Sequence, residues 1–281
     1  MPPRMSAELC GRILRPMAMR VPRVRLDELL VQRGHAPSRE KARALILAGR
    51  VDIPGVSVAK PGQLVPENSA LQVGVAEPFV SRGGLKIAHA LDRFALDPRD
   101  RICADLGAST GGFTDCLLQH GARRVYAIDV GYGQLHWKLR NDPRVIVMER
   151  TNARFLESLP ERPQLTTIDA SFISLRLLLP SAVRIAEAEA DIVALVKPQF
   201  EAGREKVGRG GVIRDPAVHR EVLTNLAVWL AAQELVLVGL TASPLRGPAG
   251  NAEFLAHIRT TGAPVEADGA IEAALSEAAA A

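Results

Sequence analysis

The amino-acid sequence predicts an α/β protein in which a Rossmann-like, doubly wound domain follows a small α+β unit. Three observations carry this prediction. From Ser81 onward, short apolar runs alternate with helical patterns, as in a parallel sheet covered on both faces. The first run leads into a tight turn and a helix start, Asp105-Leu-Gly107-Ala-Ser109-Thr-Gly111-Gly112, where such folds hold a ligand. Before Ser81, proline- and glycine-bearing turns separate short elements, the pattern of a compact α+β module. At 281 residues the chain is long enough for both.

Residues 1–22 are arginine-rich, carry Glu8 as their sole acid and are broken by prolines. They show no secretory signal and read as a flexible extension, with an organellar transit peptide as the alternative. A small unit and its linker are expected over 23–80. Arg25-Leu26-Asp27-Glu28-Leu29-Leu30 has helical apolar spacing and stops at Gly34. A second helix starts at Pro37-Ser38, buries Ala42, Leu45 and Ile46, and ends at Gly49. Strands are expected at 51–53, 56–58, 64–65 and 71–75, separated by Pro54-Gly55, Pro61-Gly62 and Pro66-Glu67-Asn68.

The large domain is expected over 81–266. Its strands fall at 101–105, 125–129, 145–148, 165–169, 192–196, 235–240 and 254–259, with helices at 175–188 and 217–233 among the connections. The Ala/Glu-rich stretch 267–281 reads as a weakly ordered or marginally helical tail.

Composition narrows the function classes. No apolar run reaches the ~18 residues needed to cross a bilayer, and no strongly amphipathic, aromatic-belted helix is evident. Cys10, Cys103 and Cys116 are scattered and lack metal-ligand spacing. No metal is therefore expected, and a reducing, cytoplasmic compartment is. A net charge of +4 favours a polyanionic partner. Nine basic residues from Arg20 to Lys60 outnumber the four acids Asp27, Glu28, Glu40 and Asp52. Arg39 and Arg43 lie one turn apart on the second helix, and Arg50 follows on the same side. With Arg25 they are candidate phosphate contacts, a solvated helix face being the plain alternative.

The glycine-rich turn carries the cofactor reading. A dinucleotide fingerprint requires glycine where Ser109 stands, and Asp105 at the strand end would repel phosphates. The run Arg124-Val-Tyr-Ala-Ile-Asp129 ends in an acid placed to hold a ribose. These constraints suit an adenosine cofactor with a positive charge and no phosphates. S-adenosylmethionine is such a cofactor, and hydride transfer is disfavoured.

Two further strands deliver one charge each at their ends, Asp169 and Lys197, with Pro198 fixing the turn after the lysine. A charge there needs a partner, so a structural ion pair is the competing reading. Lys86 and Glu253 lie at opposite ends of the domain sequence. Nothing in spacing brings them together, and each also reads as an ordinary surface charge.

Several motifs, in order, support a family resemblance: Arg25-Leu-Asp-Glu-Leu-Leu, Ser38-Arg-Glu-Lys-Ala, Ser81-Arg-Gly-Gly-Leu-Lys86, Asp105-Leu-Gly-Ala-Ser-Thr-Gly-Gly-Phe-Thr114, Asp129-Val-Gly-Tyr-Gly-Gln-Leu135 and Glu149-Arg-Thr-Asn152. Over about 23–259 the chain resembles the TlyA-type, or hemolysin A, family of rRNA methyltransferases. Its N-terminal part resembles the small RNA-binding domain shared by a ribosomal protein and many pseudouridine synthases, and the rest resembles FtsJ-type 2'-O-methyltransferases. The resemblance implies a catalytic tetrad of Lys86, Asp169, Lys197 and Glu253. It implies S-adenosylmethionine contacts at Asp105, Gly107, Ser109 and Gly111, with Asp129 at the ribose and Asn152 near the adenine. It also implies methyl transfer to the 2'-hydroxyl of a cytidine in small-subunit and, in some members, large-subunit ribosomal RNA.

On that reading Lys197 takes or stabilises the departing proton, Lys86 lowers the hydroxyl's pKa, and Asp169 and Glu253 orient the lysines. Phe172 and Phe200 are candidates to receive a displaced base, with core packing as the alternative. The loop 203–211, bearing Lys206 and Arg209, is expected to face RNA, an ordinary solvated loop being the alternative. Two other function classes stay open. One is a non-catalytic RNA-binding or assembly factor that retains S-adenosylmethionine. The other is a membrane-active hemolysin, suggested by the family's older name and without physical support in the sequence.

Overall fold

The computed structural model describes residues 21–47, 50–54, 60–74 and 78–280 and divides into two units, Met1–Ala76 and Glu77–Ala281. In the first unit, β1 (Arg23–Arg25), α1 (Leu26–Gln32), α2 (Arg39–Leu47), β2 (Val51–Asp52), β3 (Leu64–Pro66) and β4 (Gln72–Val73) follow in order. β1 pairs with β3 and β2 with β4, both antiparallel. Leu26, Leu29 and Leu30 of α1 meet Ala42 and Ile46 of α2, Val51 and Val65 in a small core, as their helical spacing requires. β1 was not anticipated: residues that read as the approach to a helix are extended because β3 supplies their hydrogen bonds. The extension 1–20 and the strand expected at 56–58 lie outside the described residues.

The second unit contains α3 (Gly83–Arg93), β5 (Ile102–Leu106), α4 (Gly112–Gln119), β6 (Arg124–Ile128), α5 (Trp137–Arg140), β7 (Val145–Met148), β8 (Leu165–Ile168), α6 (Leu179–Ile185), β9 (Asp191–Val196), α7 (Pro198–Glu201), α8 (Pro216–Ala232), β10 (Val236–Ala242), β11 (Phe254–Arg259) and α9 (Ala267–Ala280). Seven strands form one sheet in the order β10-β11-β9-β8-β5-β6-β7. Alternate residues of a strand enter opposite cores. Ile102, Ala104 and Leu106 pack with α6, α8 and α9, while Cys103 packs with α3 and α4.

Two expectations are corrected here. The sheet is not wholly parallel: β5 to β9 are parallel, but β11 runs antiparallel to both β9 and β10. Apolar strand patterns do not encode direction, so the sequence could not register this. The stretch read as a weakly ordered or marginally helical tail is the helix α9, and it is packed rather than marginal, with Ile271 and Ala274 fully buried. Its alanine content looks like low complexity, but alanine is the best helix former, and the apolar spacing 271, 274, 275 and 278 faces the sheet core. The helix expected over 175–188 starts as a 3₁₀ turn, Leu175–Leu177, capped by the Ser174 hydroxyl, before α6 begins.

β5 connects to β6 on one side while β8 lies on its other side. This switch of direction opens a crevice at the strands' carboxyl ends. Leu106 and Ile168 are in register, so Gly107 and Asp169 emerge side by side.

Candidate active site

Two cavities meet at the switch point. The smaller, about 390 Å³, includes Leu106, Ile128, Asp129, Val130, Asn152 and Ala153 in its wall. The larger, about 510 Å³, includes Arg82, Lys86, Phe113, Lys197, Pro248 and Glu253. Both are lined by Gly107, Ser109, Asp169 and Ser171. The two cavities therefore adjoin at these four residues.

Gly107 has φ +89°, and a Cβ there would lie 2.6 Å from the Asp169 carbonyl oxygen. The shared wall thus exists only because residue 107 lacks a side chain. Ser109 has φ +48°; its amide donates to Asp129 Oδ2 at 2.8 Å, while the Gly131 amide donates to Oδ1 at 2.7 Å. The Asp129 carboxylate is thereby fixed at the rim of the smaller cavity. Asn152 also lines that cavity, and its side-chain oxygen accepts from the Arg154 amide at 3.1 Å.

Asp105 and Gly111 line neither cavity, contrary to expectation. Asp105 is fully buried. It accepts from the Thr114 amide and hydroxyl, at 3.0 and 2.7 Å, and from the Thr167 hydroxyl at 3.2 Å. Burial pushes its pKa up to about 7, helped by the charge of Asp169 and opposed by those hydrogen bonds. Its structural work is to tie the start of α4 to β5 and β8. Gly111 has φ +94°, and a Cβ there would strike the ends of Leu139 and Leu135, so it serves the turn and its packing.

Four charges converge on the larger cavity as two pairs. Lys86 Nζ lies 2.5 Å from Glu253 Oε2, and Lys197 Nζ lies 2.6 Å from Asp169 Oδ1. Lys86, Lys197 and Glu253 are all buried. Asp169 and Lys197 follow parallel strands, whereas Glu253 precedes β11. The antiparallel pairing of Phe254 with Val196 is what brings Glu253 to the same edge. Ser171 was missed by the sequence reasoning: its hydroxyl accepts from Lys197 Nζ at 3.0 Å. Only its place in the turn after β8 could have signalled it. Arg82 was likewise quoted in a motif without a role and lines the larger cavity.

Phe172 is 90% exposed, so core packing does not account for it. Its φ of +65° is strained for a bulky residue, and its ring centroid lies 5.1 Å from that of the half-buried Phe200. Glu201 secures this rim. Its carboxylate accepts from the Ser174 hydroxyl and the Leu175 amide, both at 2.7 Å, and burial raises its pKa.

The basic residues proposed for RNA divide between the units. Arg25 donates to the buried Asp27 at 3.0 and 2.8 Å, and Arg39 pairs with Glu28 at 3.1 Å and with Asp27 at 3.6 Å. Arg43 is exposed, and Arg50 lines a hollow with Pro37, Lys41 and Leu45. On the second unit's glycine-rich loop, Lys206 is ion-paired with Glu221, and the Arg209 side chain lies outside what the structure describes.

The two cavities differ in their basic lining. No lysine or arginine lines the smaller one among the described residues, and its charged lining groups are Asp129 and Asp169. This donor set fits a cationic, phosphate-free adenosine cofactor and not a pyrophosphate. Its apolar wall suits a nucleobase. The larger cavity is lined by three basic side chains against the two carboxylates Asp169 and Glu253, and this cationic excess suits a polyanionic acceptor.

The sequence pattern of the FtsJ-like methyltransferases matches residues 79–260, and that of the S4 domain matches residues 24–71. The chain is 51% identical over 244 residues to the 16S/23S rRNA (cytidine-2'-O)-methyltransferase TlyA of Mycobacterium tuberculosis, covering 85% of this chain and 90% of that protein. It is 41% identical over 237 residues to Hemolysin A of Brachyspira hyodysenteriae, covering 83% and 99%. A solved protein of Streptococcus thermophilus, provisionally named a hemolysin, is 41% identical with a TM-score of 0.72, covering 92% of this chain and 97% of that one.

Proposed function

Because this chain belongs to the TlyA family of FtsJ-like methyltransferases with an S4 domain, we propose that it methylates the ribose 2'-hydroxyl of a cytidine in ribosomal RNA. S-adenosylmethionine supplies the activated methyl group. The observation that carries the reading is the shared wall at Gly107, Ser109, Asp169 and Ser171, where the acidic cavity adjoins the one holding two lysine–carboxylate pairs. In this assignment Gly107, Ser109, Asp129 and Asn152 hold the cofactor. Residues 23–80 serve as the RNA-binding unit and linker, and the catalytic domain runs from 81 through α9.

Displacement at a methyl group requires the attacking oxygen to be aligned and made more nucleophilic. Lys86, held by Glu253, lowers the pKa of the hydroxyl. Lys197 in its neutral form takes the proton, and Asp169 and Ser171 hold the ammonium that results at the cavity junction. Phe172, presented on its strained turn beside Phe200, offers a face on which a displaced base can stack. The exposed arginines Arg39 and Arg43 contact phosphates, together with Arg25, Arg50, Lys206 and Arg209. A ribosomal RNA substrate is in keeping with a cytoplasmic protein.

Some relatives bear the name hemolysin; among the described residues of this chain no helix is long and apolar enough to cross a membrane. A non-catalytic factor would not need two lysine–carboxylate pairs around one cavity. The test is to incubate isolated ribosomal subunits with the protein and methyl-labelled S-adenosylmethionine, then map the label. We expect a labelled cytidine ribose, and none with Lys197→Ala although that variant still binds the cofactor. Label on a base, or near-normal turnover by Lys197→Ala, would sink the assignment.

A further inference from the structure

We propose that Glu277 of α9 is a positioning residue for the Lys86–Glu253 pair, so that α9 acts as a strut of the methyl-transfer site; this rests on the function proposed above. The Glu277 carboxylate reaches two elements at once. Oε2 accepts from the Thr241 hydroxyl at 2.7 Å and the Ala242 amide at 3.0 Å, and Oε1 accepts from Arg93 Nη2 at 2.7 Å. Thr241 is wholly buried, and its hydroxyl lies 3.4 Å from His89 Nε2.

Lys86, His89 and Arg93 are spaced three and four apart on α3, so they share one face of that helix. Glu277 holds this face at Arg93 directly and at His89 through Thr241. On the sheet side, the residue after Ala242 is Ser243, whose amide donates to the Glu253 carbonyl at 2.8 Å. One carboxylate thus stands behind both halves of the pair. α9 itself is anchored by buried Ile271 and Ala274, by an Arg220–Glu272 ion pair, and by Arg246 donating to the Ala278 carbonyl at 3.1 Å. It lies outside the residues that match the FtsJ-like pattern, 79–260.

The test compares Glu277→Ala and Glu277→Gln in the full chain. A misplacement near 1 Å costs on the order of 100-fold in rate. Glu277→Ala should therefore lower kcat by about 10- to 100-fold while the Kd for S-adenosylmethionine, whose cavity α9 does not line, stays within about twofold. Amide exchange should quicken in Gly83–Arg93 and not in Ile102–Leu106. Glu277→Gln keeps an acceptor for Thr241 and Ala242 and should recover most of the lost rate. If Glu277→Ala does not fold, Arg93→Met removes only the exposed limb of the contact and should lower kcat by several-fold at unchanged Kd.

Unchanged kcat in a folded Glu277→Ala protein would overturn the proposal. So would equal losses of kcat and cofactor affinity with exchange raised throughout the unit, since that marks a general structural role. If the unaltered protein methylates no ribosomal RNA, the functional reading fails instead, and the exchange of α3 in Glu277→Ala still decides whether the strut exists.

Discussion

Glu253→Gln offers the sharpest test of the paired-charge site, because it leaves the Lys86 ammonium buried without its counter-charge. Lys86 and Glu253 are 9% and 2% exposed, with 2.5 Å between the charged atoms. Breaking a buried pair on one side costs about 3–5 kcal/mol, so Glu253→Gln and Lys86→Met should each destabilise the protein by roughly 3 kcal/mol. The double variant holds no unpaired buried charge and should cost no more than either single change. The coupling is then roughly 3 kcal/mol, the upper end for contacting residues. At Asp169–Lys197 the carboxylate side chain is 24% exposed and Ser171 gives Lys197 a second partner. Solvent screening there should reduce the coupling to about 1 kcal/mol. Urea unfolding of the two double-mutant cycles measures both values. Additive losses at 86 and 253, or a larger coupling at 169 and 197, would refute the assignment of the buried and the screened pair.

Gly107→Ala places a Cβ 2.6 Å from the Asp169 carbonyl at a φ of +89°; left-handed strain and overpacking together should cost roughly 3 kcal/mol and weaken cofactor binding in the folded fraction. Gly111→Ala should also destabilise, since its Cβ meets Leu139 and Leu135, but calorimetry on folded protein should find cofactor affinity intact; the reverse ranking would count against the cavity wall. Asp105 has a folded pKa near 7, above its unfolded value of about 3.9, so its protonated form favours the folded state. That stabilisation is complete below about pH 4 and is lost as pH rises through 7, on the order of 4 kcal/mol. Asp105→Asn should remove this slope from the pH dependence of unfolding, and parallel slopes in the two proteins would contradict it.

The glycine-rich turn after β5, the acid ending the next strand and the alternation from Ser81 were all legible, because each depends on local chemistry: backbone conformation, strand period and helix starts. Asp105 shows the limit of such reading. A carboxylate at a strand end can face the crevice or the core, and Thr114 and Thr167 turn this one inward. Phe172 shows the opposite limit, since a phenylalanine beside a strand reads as core until its exposure and positive φ are known. Helix α9 was obscured by composition. Its burial depends on a groove that β10 and α8 create, not on any signal within the helix.

By itself the sequence determined the two units, the run of strands and helices in the second, and the charges delivered at the strand ends. Only the tertiary structure decided how those residues combine. Lys86 and Glu253 are 167 positions apart, and no periodicity reaches across such a distance. They meet because β11 reverses direction against β9, a choice made by sheet hydrogen bonding rather than by the pattern of the strand. The partition of charge between the cavities has the same origin: local sequence places acids and lysines at strand ends, while strand order selects which of them share a wall.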